Sequence, residues 1–136
     1  MPAKPTHAID ASALIAYLKN EPGSDQFAEL LLDERNVLVM HIVNLWEVHY
    51  NYLRADGLVS AEEAWIKANQ ILGIIDKVET DFMKRASRWK VNHNLGVGDA
   101  FAAATAEEYA CPLVTTDHRD FEPVERSGAL QILWLR

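Results

Sequence analysis

Short apolar runs alternate with amphipathic helical stretches along this chain. Runs at 6–9, 37–40, 74–78, 113–116 and 130–135 have the length and residue types of buried strands. Between them, apolar positions recur at helical spacing, which predicts helices over 11–18, 24–31, 42–53, 60–72, 80–91 and 100–110. Strands that alternate with helices form parallel sheets with right-handed crossovers. The pattern therefore predicts an α/β fold with a mainly parallel sheet covered by helices on both faces.

Local signals indicate where several of these helices begin. Ser24 is a candidate N-cap for the second helix, and Thr80 is one for the helix that follows the third strand. Ser60 and Glu63 have the spacing of a capping box. No helix is predicted between the last two strands.

Length and composition fit a single globular domain over 1–136, since 49% of the 136 residues are hydrophobic and 24% are charged. No apolar run approaches the roughly 20 residues of a membrane helix, and the first residues lack the apolar core of a signal peptide. A cytoplasmic protein is therefore expected. The single Cys111 excludes an internal disulfide and a zinc site built on cysteines.

The net charge of −7 argues against a surface that binds nucleic acid by electrostatics alone, because neutralising phosphates requires clustered Lys and Arg. A nucleic-acid partner would need a local basic patch, bound cations or a partner protein. Some of the acids could instead be gathered to hold a metal. Composition leaves these options open.

Four acidic residues occupy positions suited to chemistry. Asp10 follows the first strand and Asp117 follows the fourth, so both point to the sheet edge where ligands bind in open α/β folds. Glu47 lies inside an apolar helix, and Asp99 stands at a helix start. Each also has an ordinary explanation as a helix cap, a solvated helix position, a favourable charge in a first turn or a turn former.

Carboxylates that meet in one crevice raise one another's pKa and cost stability unless a cation lies among them. No Lys or Arg is adjacent in the sequence to Asp10, Glu47 or Asp99, so the expected cation is a metal ion. Oxygen ligands without cysteine favour Mg²⁺ or Mn²⁺. The chemistry expected of such a site is hydrolysis of a phosphodiester by a metal-activated water.

Other chemistries find less support in the sequence. The five histidines include no close metal-ligand pair, and core or surface positions are expected for them. Neither a Walker-type phosphate loop nor a serine nucleophile elbow is present. A phospho-accepting aspartate of the receiver type would require a lysine after a late strand, and none follows 113–116 or 130–135.

Four segments, taken in order, resemble the motifs of the PIN domain family, specifically its VapC-type toxins: 9–18, 44–48, 95–101 and 113–121. The resemblance implies a three-layer α/β/α sandwich, usually dimeric, that cleaves RNA with the help of Mg²⁺ or Mn²⁺. It also implies a catalytic and metal-binding quartet: Asp10, Glu47, Asp99 and Asp117.

Further positions follow from the same resemblance. Ser12 matches the serine that supports the first acid, and Thr115 matches the family's threonine. Asp120 could share or replace the role of Asp117, which ranks first because it lies nearest the strand end. His41 stands where many relatives carry Ser or Thr, which puts substrate details in doubt rather than metal binding. Toxins of this type are held inactive by an antitoxin encoded beside them, whose peptide commonly enters the acidic groove.

The leading hypothesis is a metal-dependent endoribonuclease that acts as a toxin, with an RNA substrate and a cognate antitoxin. Its candidate substrate patch is a basic helix with Trp89 available for base stacking. The alternative is a solvated basic face with Trp89 in the core. The patch consists of Lys84, Arg85, Arg88 and Lys90.

A second hypothesis is a PIN-like module that binds RNA or an antitoxin without turnover.

Overall fold

The computed structural model describes residues 3–136. Within this range, five strands form one sheet in the order β3-β2-β1-β4-β5, and every neighbouring pair is parallel. The strands are β1 (His7–Ile9), β2 (Leu38–His41), β3 (Gly73–Ile75), β4 (Leu113–Thr115) and β5 (Ile132–Trp134).

Seven helices connect these strands in the described part of the chain. None of them is both long enough and apolar enough to cross a bilayer. They are α1 (Ala11–Leu18), α2 (Ser24–Leu32), α3 (Ile42–Asp56), α4 (Leu58–Ile71), α5 (Thr80–His93), α6 (Val97–Glu108) and α7 (His118–Arg126).

The helices cover both faces of the sheet. Side chains alternate along a strand, so Ala8 of β1 packs with the apolar residues of α5, α6 and α7, while Ile9 packs with those of α1 to α4. Leu113 and Val114 of β4 divide between the two faces in the same way. The expected α/β/α sandwich around a parallel sheet is confirmed.

The strand order creates a crevice beside the centre of the sheet. From β1 the chain moves outward to β2 and β3, and it then crosses to β4 and β5 on the other side of β1. The loops after β1 and β4 therefore leave the sheet in opposite directions. Such a switch point is the usual ligand crevice of an open α/β sheet. Asp10 and Asp117 stand on its two sides.

Helix α7 was not predicted, because the acidic stretch after β4 and the internal Pro123 are typical of a loop. Its formation rests on Phe121 and Val124, which are three residues apart and bury one face of the helix. The side chain of Asp117 caps it by accepting a hydrogen bond from the Asp120 N–H at 3.1 Å. The buried apolar face and the cap stabilise the helix by more than it loses from the hydrogen bond that Pro123 cannot donate.

Three predicted cap assignments are wrong in detail. Gly57, with φ 94°, ends α3 and directly precedes α4, so Ser60 and Glu63 lie inside the helix and form no capping box. Thr80 and Ser24 are the first helical residues rather than N-caps. In each case the helix begins earlier than the polar side chain suggests.

His41 performs the capping role at the start of α3. Its Nδ1 accepts a hydrogen bond from the Val43 N–H at 3.1 Å, and its Nε2 donates to the Lys77 carbonyl at 3.1 Å. The ring is fully buried and stacks on Phe82 with 4.9 Å between ring centres. Burial lowers the pKa of His41 and keeps the ring neutral, as an accepting Nδ1 requires. A histidine thus caps the helix that carries Glu47.

We expect His41→Ala to destabilise the fold by about 3 kcal/mol, because it removes both a cap and a buried stacked ring. His41→Asn retains a capping oxygen and should recover about 1 kcal/mol of that loss. Urea unfolding of the three chains measures the difference. Equal stability of the alanine and asparagine variants would contradict the capping role.

Candidate metal centre

The carboxylate of Asp10 is buried at the end of β1, with only 3% of the residue exposed. Its Oδ2 accepts hydrogen bonds from Ser12 Oγ at 2.8 Å and Thr115 Oγ1 at 2.9 Å. Both hydroxyl oxygens accept backbone bonds in turn, from the N–H groups of Thr116 and Asp117. These bonds direct the hydroxyl protons at Asp10. Burial raises the pKa of Asp10, and the two hydroxyl bonds oppose that rise.

Glu47 reaches the same crevice from α3. Asn44, one turn earlier, donates through Nδ2 both to Glu47 Oε1 at 2.9 Å and to the Gly98 carbonyl at 2.9 Å. Asn44 therefore ties α3 to the start of α6. Burial raises the pKa of Glu47 to about 7, and the charge of Asp10 adds to the shift. The buried Oδ1 of Asn44 has no partner among residues 3–136.

Gly98 is required by the close approach of Glu47. A Cβ atom placed on Gly98 would lie 2.1 Å from Glu47 Oε1, far inside van der Waals contact. Neither Gly98 nor Asn44 was identified from the sequence as a site residue. The available signal was a glycine immediately before the candidate acid Asp99 in the first turn of a helix.

Asp99 lies in the first turn of α6, a helix that is buried from Ala100 to Ala106. Its carboxylate meets those of Asp117 and Asp120, with one oxygen from each within 4.8 Å of the others. Burial raises the pKa of Asp99 to about 9, and the charges of Asp10, Asp117 and Asp120 add to the effect.

The structure brings all the acids named from the sequence together. Asp10 is close enough for its charge to raise the pKa of Glu47, Asp99 and Asp117. Asp120 belongs to the same group. One of its carboxylate oxygens lies within 4.8 Å of one from Asp99, and its N–H donates a hydrogen bond to Asp117 Oδ1. The crevice therefore contains five carboxylates, and two of them, Asp117 and Asp120, compete for the fourth position of the quartet.

The donor set fits a hard divalent cation. Among residues 3–136, no Lys, Arg or His forms an ion pair with any of the five acids. Oxygen ligands alone suit Mg²⁺ or Mn²⁺, and a cation would stabilise the charged form of these carboxylates against both their burial and their mutual repulsion. Asp99, Asp117 and Asp120 are the closest group that could share one ion.

The basic helix α5 lies apart from this cluster. Arg85 pairs with Glu107 at 2.9 Å, and Glu107 is eight residues, or about 12 Å of helix, beyond Asp99. Trp89 is only 5% exposed and donates its indole N–H to the same Glu107. The interpretation that places Trp89 in the core is therefore confirmed, and the one that leaves it available to stack on a base is wrong. A substrate role for Arg85 and Arg88 stays a prediction.

Comparison with known proteins identifies the class. The chain belongs to the PIN domain family, whose model matches residues 8–126. No curated protein sequence matches the chain.

Solved structures give a finer comparison of the fold. A chain in the crystal structure of VapBC2 from Rickettsia felis, bound to a DNA fragment from their promoter, is similar with a TM-score of 0.74 and 17% identity over 95% of this chain and 98% of that one. A chain of DNA-bound VapBC from Salmonella typhimurium has a TM-score of 0.74 and 14% identity over 97% and 99%. VapC20 from Mycobacterium tuberculosis, described as a sarcin–ricin loop cleaving toxin, has a TM-score of 0.69 and 20% identity over 88% and 95%.

We expect Gly98→Ala to weaken metal binding about tenfold without unfolding the protein, because the new methyl group displaces the carboxylate of Glu47. Alanine is otherwise the better helix residue, so the metal-free variant should be at least as stable as the parent. Calorimetric titration with Mn²⁺ measures the affinity. Gly96→Ala is the matched control, since its Cβ meets no atom within 4 Å. Equal Mn²⁺ affinity in both variants would contradict the positioning of Glu47 by Gly98.

The metal-free protein should lose stability as the pH rises from about 5 to about 9. Folding raises the pKa of Glu47 to about 7 and of Asp99 to about 9, so in this range the folded chain holds protons that the unfolded chain has released. Urea unfolding in the presence of EDTA measures the decrease, which Asp99→Asn should reduce. A free energy of unfolding that increases over this range would refute the raised pKa values.

Proposed function

We propose that this protein is a Mg²⁺- or Mn²⁺-dependent endoribonuclease and the toxin component of a type II toxin–antitoxin system. The observation that carries the proposal is the convergence of five carboxylates from four separate segments on one crevice, with no protein cation among them. The PIN family match supports a nuclease.

A divalent cation held by these acids would supply a nucleophile from water and stabilise negative charge on the phosphodiester. The chain's own contribution is orientation. Ser12 and Thr115 fix the rotamer of Asp10. Asn44 occupies Oε1 of Glu47, while Oε2 accepts no hydrogen bond from the described residues. Oε2 of Glu47 is therefore available to a cation or to a water molecule in the crevice.

RNA as the substrate and an antitoxin as the partner are supported by likeness. One similar structure is that of a toxin described as cleaving the sarcin–ricin loop, and others are VapBC toxin–antitoxin complexes. The acidic crevice and the net charge of −7 also suit an inhibitory peptide that presents a basic side chain. A homodimer is proposed from the family resemblance.

Asp99→Asn should reduce Mn²⁺-dependent cleavage of single-stranded RNA about 100-fold or more, because it removes one charge from the closest group of ligands without changing the side-chain shape. The assay uses antitoxin-free protein and a fluorescent RNA, with EDTA as the blank. Asp81→Asn is the matched control, since Asp81 occupies the first turn of α5 and lies outside the crevice.

Undiminished cleavage in Asp99→Asn would refute the assignment of the site. Thermal stabilisation by Mn²⁺ without cleavage of RNA by the parent chain would instead indicate a binding module. Failure of Mn²⁺ to raise the melting temperature would contradict the metal site itself.

A further inference from the structure

An aromatic and basic stripe runs along α3 from the acid cluster. Trp46, Tyr50 and Arg54 are spaced four residues apart, so they lie on the same side of the helix. The rings of Trp46 and Tyr50 meet edge to face with 5.0 Å between their centres. The guanidinium carbon of Arg54 lies 5.8 Å from the centre of the Tyr50 ring. The three side chains form one continuous surface, here called the α3 stripe.

The α3 stripe opens directly into the acid cluster. Trp46 and Tyr50 line a cleft of about 230 Å³ whose other walls include Glu47, Val97 and Asp99. Pockets that enclose a complete drug-sized ligand have about 300–1,000 Å³. This cleft is therefore suited to one flat group of a larger molecule whose reacting part lies at Glu47 and Asp99.

Trp46 is more exposed than the fold requires. It is 57% exposed, although it directly precedes Glu47, and Val97, which also lines the cleft, is 54% exposed. A tryptophan left in water forgoes a large gain from burial. An aromatic face beside a phosphodiester site, continued by a cation, matches the way single-stranded nucleic acids are bound, with bases stacked on rings and phosphates drawn to Arg.

We propose that the α3 stripe binds single-stranded RNA next to the scissile phosphate, with one base stacked on Trp46 and a neighbouring phosphate attracted to Arg54. The proposal deepens the proposed function and rests on it. In a chain of net charge −7, Arg54 supplies a cation on the same side of α3 as Trp46 and Tyr50, about 10 Å of helix beyond Glu47, where the phosphate of a neighbouring nucleotide can reach it. Stacking does not discriminate between bases, so the α3 stripe contributes to RNA affinity more than to sequence preference.

Kinetics of RNA cleavage test the stripe separately from the metal site. Trp46→Ala should raise KM roughly 5- to 100-fold, the range for loss of one stacked base, while kcat stays near that of the parent. Trp46→Phe keeps a ring and should recover most of the loss. Arg54→Ala should weaken binding and lower the slope of log Kd against log salt by about 0.7. Leu32→Ala, at an 80% exposed position of α2, is the control for loss of exposed apolar surface.

A measurement of RNA binding in a variant that is expected not to cleave makes the test independent of the proposed activity. The Asp10→Asn chain leaves the lining of the cleft intact, and its affinity for a fluorescent single-stranded RNA is read by anisotropy, with and without Trp46→Ala. Weaker binding in the double variant supports the stripe even if the parent chain cuts no RNA. Unchanged affinity and unchanged KM would overturn it. A loss of binding that accompanies dissociation of a dimer, measured by light scattering, would assign Trp46 to a subunit interface and also overturn it.

Discussion

Mutual repulsion among carboxylates at the carboxyl edge of the sheet is the constraint on which the site depends. Five acids share a crevice, and burial together with neighbouring negative charge raises the pKa values of four of them: Asp10, Glu47, Asp99 and Asp117. A fold accepts such a cost where it serves a function, because unpaired buried charge is otherwise removed or neutralised. A divalent cation bound in the crevice would convert this repulsion into attraction.

The surrounding hydrogen bonds hold that arrangement in place. Ser12 and Thr115 join the ends of β1 and β4 through a single oxygen of Asp10, so the switch point of the sheet and the first carboxylate are fixed together. In the same way, Asn44 links α3 to α6 and orients the carboxylate of Glu47. Asp10 and Glu47 are thus oriented by neutral groups rather than by cations, which leaves their charge available to a metal.

The sequence predicted the sheet and the acids because both follow from local rules. Apolar runs mark buried strands, and an acid after such a run must emerge at the sheet edge, as Asp10 and Asp117 do.

Gly98 and Asn44 could not be identified in this way, because their roles depend on the contact between α3 and α6, and no local sequence pattern predicts that contact. Helix α7 was not predicted because Pro123 and the acidic residues before it are typical of a loop. For Trp89 the sequence left two interpretations open, and the structure selects the buried one. Asp120 was already a sequence candidate to share or replace the role of Asp117, and the structure places carboxylate oxygens of both within 4.8 Å of one from Asp99.

Anomalous X-ray diffraction from crystals soaked in Mn²⁺ tests the central claim most directly. The account predicts a peak in the crevice with carboxylate oxygens of Asp99 and of Asp117 or Asp120 about 2.1 Å away, the distance expected for a small divalent ion. A crevice without a peak at saturating Mn²⁺, or a peak coordinated only by acids elsewhere on the surface, would contradict it.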